Sequence, residues 1–129
     1  MKKYATLAAG AIAGGTALAL AVPAGAGATA QRDRIADRAF VQCSAGSMLQ
    51  VDLEREWRKF EVDIEIYAAP RERWTVTIGT AGSVTHTFTK STDREGELDG
   101  WRYVPRTSGV IEVRARAADG ETCRAQVRG

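Results

Sequence analysis

The sequence predicts an all-β domain, a two-layer antiparallel sandwich of about seven short strands. Apolar residues alternate with polar residues in run after run beyond residue 40, which is the period of a strand with one buried face. Turn sequences rich in Gly, Pro and Asp separate these runs, and nothing beyond residue 43 has the period of a helix over a useful length. Short strands with one apolar face each bury those faces by packing as two sheets.

The strands follow one another at short intervals along the chain. The clearest alternation lies at residues 60–66, where four apolar residues alternate with three acidic ones. The predicted strands are residues 43–55, 58–68, 73–79, 83–90, 96–104, 109–117 and 121–127. Gly100 interrupts the alternation of the fifth strand, so the two faces of that strand stay unassigned. Asp119-Gly120 joins the last two strands and predicts a tight hairpin, because glycine accepts the positive φ of such turns.

The first 30 residues have the composition of an export signal. Lys2 and Lys3 precede an uncharged apolar stretch at residues 5–22, and small residues follow Pro23. Several small-x-small sites fit the cleavage rule, and we expect cleavage just before Gln31. A retained membrane anchor is the alternative, which the glycines of the apolar stretch and the lack of a basic stop-transfer cluster disfavour. The expected location is therefore secreted and extracellular, with no membrane association after cleavage.

We divide the chain into a signal peptide at residues 1–30, an N-terminal tether or short helix at residues 31–39, and the sandwich at residues 40–129. Cys43 and Cys123 lie near the two ends of the sandwich. Two widely spaced cysteines in an exported chain predict a structural disulfide, because the cysteines of a redox pair usually lie close in sequence. With only one histidine in the chain, they argue against a structural zinc site.

From Cys43 onward the chain resembles small secreted actinobacterial proteins with a single one-disulfide immunoglobulin-like domain. The resemblance rests on the first cysteine, the alternating acidic strand at residues 61–66, the aromatic strand at 74–78 and the closing stretch at 115–123 that ends in the second cysteine. It implies an immunoglobulin-like or fibronectin-III-like sandwich and export. It implies no activity, because the group has none to transfer.

Charge is balanced over the expected mature chain but is unevenly distributed over its predicted faces. Sixteen acidic and sixteen basic residues lie beyond residue 30, so the surplus of Lys and Arg that nonspecific nucleic-acid binding requires is absent.

In an immunoglobulin-like order the first two strands share a sheet, and its outward carboxylates, here named the acidic face, are Asp52, Glu54, Glu61, Asp63 and Glu65. The third, sixth and seventh strands share the other sheet, and its candidate binding residues, here named the Arg/Thr face, are Arg73, Thr75, Thr77, Arg114, Arg116 and Arg124. Clustered arginines bind carboxylates and phosphates bidentately, so we expect this face to bind an anionic surface polymer or an acidic protein. A solvated face with accidental segregation of charge is the alternative.

Three aromatic residues are further candidate contacts. Trp57, Trp101 and Tyr103 could stack on sugars or pack in a protein interface, and burial in the core or at a sheet rim is the alternative. The runs of carboxylates could suggest glycosidase or calcium chemistry, but a stripe along one strand is typical of the solvated side of a sheet. We therefore expect no metal and no cofactor.

His86 is the only histidine and the only side chain that titrates near neutrality without help. Val84, His86 and Phe88 are expected to share a face that points to the core or its margin. A catalytic role would pair His86 with a serine such as Ser83 or Ser108, but no nucleophile motif accompanies it. We expect a structural histidine and assign no catalytic residue.

The sequence thus favours a secreted, non-enzymatic binding module at or near the cell surface, with an unknown ligand. A small secreted inhibitor of an extracellular enzyme is the alternative, and it predicts a rigid protruding loop at residues 90–100 or 104–109. A hydrolase is the third hypothesis, and it predicts a pocket that holds His86 beside a serine or a carboxylate.

Overall fold

The computed structural model describes residues 34–129, and the predicted signal peptide lies outside these residues. The described chain forms two four-stranded antiparallel sheets, which confirms the all-β sandwich. The strands are β1 Ile35–Gln42, β2 Met48–Arg55, β3 Lys59–Tyr67, β4 Arg73–Thr80, β5 Ser83–Ser91, β6 Glu97–Pro105, β7 Val110–Ala117 and β8 Thr122–Arg128. The first sheet has the order β1-β2-β3-β6 and the second has the order β5-β4-β7-β8. No helix within residues 34–129 is long and apolar enough to cross a bilayer.

The hydrophobic core lies between the two sheets. Every second residue of β2, β3, β4, β7 and β8 is buried, as the alternation predicts. Trp74 and Ile78 of the second sheet and Leu49, Ile64 and Ile66 of the first are fully buried. Burying an apolar side chain of this size contributes about 1.5–3 kcal/mol. The core therefore leaves the alternate residues of both sheets on two opposite outer faces.

The structure corrects the prediction for the segment before the sandwich. This segment was expected to be a tether or short helix, but most of it belongs to strand β1. Ile35–Gln42 pairs with β2, and its register shifts after its first residue. Ala39 and Val41 pack against the core, whereas Phe40 points outward and is 54% exposed. The bulge and the exposed aromatic residue hide the period of two, so the boundary set at residues 31–39 is wrong from residue 35 onward.

A second correction concerns Val84, which was expected on the face of His86 and Phe88. The register between β4 and β5 shifts after Ile78, so that Ile78 lies opposite His86 whereas Gly79 lies opposite Val84. The shift inserts an extra residue and turns the preceding side chain to the other face. Val84 is therefore on the outer side of the second sheet, where it is 65% exposed.

Gly100 faces inward on β6, where the ring of Phe88 from β5 crosses it. A Cβ atom at this position would lie 2.8 Å from Phe88 Cζ. The Arg102 guanidinium also lies over the Phe88 ring, 4.6 Å from its centroid. The interruption in the alternation thus marks the place where the edges of the two sheets meet.

The predicted disulfide between Cys43 and Cys123 is confirmed. It joins Cys43, the residue that follows β1, to Cys123 of β8, across a sequence separation of 80 residues and with 4.4 Å between the Cα atoms. The two strands belong to different sheets, and β8 packs against both β1 and β2. The bond therefore ties one sheet to the other at this edge of the sandwich.

A buried carboxylate holds the turn beside the disulfide. Glu121 is 7% exposed, and its Oε2 accepts hydrogen bonds from the backbone N–H groups of Ala45 at 3.0 Å and Ser47 at 2.9 Å. Its Oε1 accepts a third from the Ser47 hydroxyl at 2.8 Å. Glu121 and the disulfide together fix the turn between β1 and β2 onto the second sheet.

Candidate binding faces

All six residues of the Arg/Thr face lie on the outer side of the second sheet. Thr75 is directly opposite Arg116, and Thr77 is directly opposite Arg114, across β4 and β7. Arg114 is in turn opposite Arg124 across β7 and β8. Residues directly opposite each other in an antiparallel pair share a face, and so do residues two apart on one strand. Arg73, two residues before Thr75, extends the same face toward its end.

The face also includes a pair of threonines that the sequence prediction left out. Thr87 is opposite Thr77, and Thr89 is opposite Thr75, with the Thr75 and Thr89 hydroxyl oxygens 3.2 Å apart. The alternation of β5 shows that these threonines share a side, but which side it is depends on the strand order. They make a polar block of four hydroxyls next to the arginines.

Glu112 is the acidic exception on this face, and it positions two of the arginines. Its Oε1 accepts a hydrogen bond from Arg114 Nε at 2.9 Å, and its Oε2 pairs with Arg124 Nε at 2.6 Å. Burial alone would raise the pKa of Glu112, but hydrogen bonds from Gln126 and Arg114 and the charges of both arginines lower it. The two arginine side chains remain 63% and 61% exposed. Solvent screens exposed pairs of this kind, so they hold the side chains only weakly and the arginines stay accessible.

Two shallow open grooves cross this outer surface. One is lined by Gln42, Thr75, Thr77, Arg114, Ala115, Arg116, Thr122, Cys123 and Arg124. The other lies at the opposite end of the face, and Ser83 and Ser108 line it together with Glu112 and Val84. Neither groove includes His86. Guanidinium and hydroxyl groups line both grooves.

His86 lies between the free edges of the two sheets. It is half-buried, and its Nε2 is 3.0 Å from the backbone oxygen of Tyr103 on β6. This hydrogen bond links β5 to β6 and occupies the ring nitrogen with a main-chain group. The geometry gives His86 a structural contact and does not bring it to Ser83 or Ser108.

The acidic face lies on the outer side of the first sheet. Asp52 is opposite Asp63, and Glu54 is opposite Glu61, across β2 and β3. Arg38 of β1 forms a bidentate pair with Asp52, at 2.7 Å from Nε to Oδ1 and 3.0 Å from its terminal nitrogen to Oδ2. Burial raises the pKa of Asp63 to about 8, and hydrogen bonds with Glu54 and Glu61 and their negative charges add to this effect. The sequence prediction missed Arg38, because its segment was not recognised as a strand.

The candidate aromatic residues border the acidic face and do not join the Arg/Thr face. Trp101 lies opposite Asp63 on the neighbouring strand, and Tyr103 lies opposite Glu61. Their ring centroids are 5.1 Å apart with the planes at 61°. Trp57 lies in the turn between β2 and β3, where it is 83% exposed. Core burial therefore does not hold for Trp57, and Trp101 is itself half exposed.

Three carboxylates at one end of the first sheet approach one another closely. Ligand oxygens of Glu54, Glu56 and Glu61 lie within 4.8 Å of one another, a spacing that could hold a metal ion. Arg34 already provides a positive charge there, with a nitrogen 3.8 Å from Glu54 and 3.4 Å from Glu56. The geometry alone therefore assigns no ion to this cluster.

The comparisons with known proteins add no relative from which a ligand could be transferred. No protein-family model matches the sequence, and no significant match is found among curated proteins or solved structures. The candidate binding surface thus depends on the geometry of the two faces.

Proposed function

We propose that this protein is a secreted, non-enzymatic binding module whose Arg/Thr face binds an anionic ligand. The observation that carries the proposal is the placement of four arginines and two threonines on one outer sheet face. Within residues 34–129, Arg73 and Arg116 form no ion pair. Unpaired guanidinium groups beside hydroxyl donors can bind the acidic groups of a partner.

The strand lattice sets the chemistry of that partner. Outward side chains repeat about every 7 Å along a strand and about every 4.8 Å between strands. Arginine binds planar carboxylates and phosphates through two parallel hydrogen bonds. The ligand is therefore an anionic surface polymer or an acidic protein face with repeated charged groups.

The proposal includes an extracellular location. The expected export signal at residues 1–30 supports it. The disulfide between Cys43 and Cys123 also supports it, because such bonds persist in oxidising compartments.

The turns do not favour the inhibitor alternative. Between β5 and β6, the carboxylate of Asp93 accepts hydrogen bonds from the backbone N–H groups of Glu95 and Glu97, which folds the turn on itself. Between β6 and β7, Ser108 bonds back to the carbonyl of Pro105. Both connections are short turns and neither extends from the sandwich as a loop that could enter an active site.

Retention on immobilised poly-L-glutamate and on cell-wall fragments tests the proposal. We expect R114E/R116E to lose at least about tenfold in affinity, which corresponds to about 1.4 kcal/mol. The matched control is R71E/R94E, which makes the same change in net charge at exposed turn residues. Unchanged retention of R114E/R116E, or equal loss in the control, contradicts the proposal.

A further inference from the structure

The protein carries its own complement to the Arg/Thr face. The acidic face and the Arg/Thr face lie on the outer sides of different sheets, and the two sheets pack core to core. The faces therefore point in opposite directions, and one molecule cannot join its own two faces. A second copy can offer its acidic face to the arginines of the first.

The charges of the two faces share one spacing. Glu61, Asp63 and Glu65 alternate along β3, and Arg114 and Arg116 alternate along β7, so both rows repeat about every 7 Å. On each face the adjacent strand adds a second charged group beside the row. Asp52 lies beside Asp63 on the acidic face, and Arg124 lies beside Arg114 on the Arg/Thr face. Asp63 keeps a proton near neutrality in the free protein, and a guanidinium group placed beside it favours the charged form. A row of carboxyl groups can thus lie along a row of guanidinium groups with successive groups aligned.

The environment of the acidic face also favours a cationic occupant. Four of its five carboxylates are directly opposite one another across β2 and β3, and like charges in that position repel. Arg38 relieves this repulsion at Asp52, and Arg34 relieves it in part at Glu54. The exposed ring of Trp101 borders the same carboxylates, and aromatic faces attract guanidinium groups. The neighbouring Tyr103 ring already holds Lys59 Nζ, 3.7 Å from its centroid.

We propose that the acidic face of one molecule binds the Arg/Thr face of a second copy, so that the protein assembles head to tail. This inference rests on the proposed function, because it names the acidic ligand of the Arg/Thr face. The contact joins two different surfaces and leaves one of each kind open at the ends. Such a heterologous contact builds an extended stack unless a rotation closes it into a ring.

The size of the contact sets its expected strength. Four strands of about seven residues cover roughly 20 by 24 Å, which is below the roughly 800 Å² per partner of a standard stable interface. We therefore expect reversible assembly at high protein concentration, and a strong dependence on salt because exposed charges are screened.

Sedimentation velocity of the full chain, expressed for export and recovered oxidised, tests the inference. For the unaltered protein at low salt, we expect the sedimentation coefficient to rise between about 1 μM and about 1 mM and the rise to disappear at high salt. R114E/R116E and E61K/E65K each lose one face, so each alone stays monomeric. An equimolar mixture of R114Q/R116Q and E61Q/E65Q forms a 1:1 dimer and nothing larger, because each variant contributes its one intact face and the two neutralised faces carry no opposite charges.

Two results overturn the inference. One is an unaltered protein that stays monomeric over the whole concentration range at low salt, and the other is a mixture of R114Q/R116Q and E61Q/E65Q that stays monomeric. A mixture of R114E/R116E with E61K/E65K is expected to assemble beyond a dimer, because its two reversed faces also carry opposite charges, and R71E/R94E is the control for net charge. If assembly fails while R114E/R116E still loses retention on poly-L-glutamate, only the self-binding inference fails. If that retention is unchanged, the proposed function fails as well.

Discussion

Replacing Glu121 with alanine removes the carboxylate that holds the turn between β1 and β2. Its two oxygens accept three hydrogen bonds, two from backbone N–H groups and one from a hydroxyl. A hydrogen bond to a charged group contributes about 1.5–3 kcal/mol, and an unsatisfied buried donor costs about 1–3 kcal/mol. Ala45 is exposed and its N–H can turn to water, so we take about 1 kcal/mol for each bond and expect a loss of about 3 kcal/mol.

Equilibrium unfolding in guanidinium chloride, followed by the fluorescence of buried Trp74, measures this loss. E121Q keeps one acceptor oxygen, so we expect about half the loss of E121A. E95A is the matched control, because Glu95 is exposed in a turn and surface substitutions of this kind usually stay within about 0.5 kcal/mol. A loss of stability below about 0.5 kcal/mol for E121A would refute the conclusion that Glu121 holds the turn between β1 and β2.

Three further predictions concern the covalent tie, the acidic face and the sheet edge. C43A/C123A is expected to lose up to about 4.5 kcal/mol of stability, because the bond closes a loop of 80 residues; an unfolding midpoint equal to that of the oxidised protein would contradict this. Because the folded-state pKa of Asp63 is raised from 3.8 to about 8, the folded state retains a proton that the unfolded state releases, and stability should fall as pH rises across that window. D63N should flatten this decline in a pH series of denaturation curves, and an unchanged slope counts against the elevated pKa. G100A places a Cβ 2.8 Å from Phe88 Cζ and should cost about 1–3 kcal/mol by overpacking; F88A in the same chain should cancel part of that cost, and strictly additive losses would exclude the contact.

The period of two was sufficient to predict seven of the eight strands found within residues 34–129. That period depends on local burial alone, and a strand such as Lys59–Tyr67 shows it without interruption. It fails where the backbone inserts a residue, as at Ala36 in β1 and at Thr85 in β5. The role of Gly100 could not be predicted from the sequence either, because the ring that packs against it, that of Phe88, belongs to the other sheet.

The two charged faces could be predicted because each is the polar half of an alternating strand, once the strand order is given. The positions of Arg38 on the acidic face and of the β5 threonines on the Arg/Thr face could not be predicted. They depend on the pairing of strands that the pattern missed or left unassigned. The hydrogen bonds of Glu121 could not be predicted either, since its partners lie 74 and 76 residues away in sequence. Such contacts are set by tertiary packing and leave no local signal.

The most direct test of the binding face is an NMR titration of the oxidised protein with a short poly-L-glutamate. We predict that the largest amide shifts occur on β4, β7 and β8, at the residues of the Arg/Thr face, and that R114E/R116E abolishes them. Largest shifts at the acidic face or around His86, or shifts that persist in R114E/R116E, would contradict the assignment of the Arg/Thr face as the binding surface.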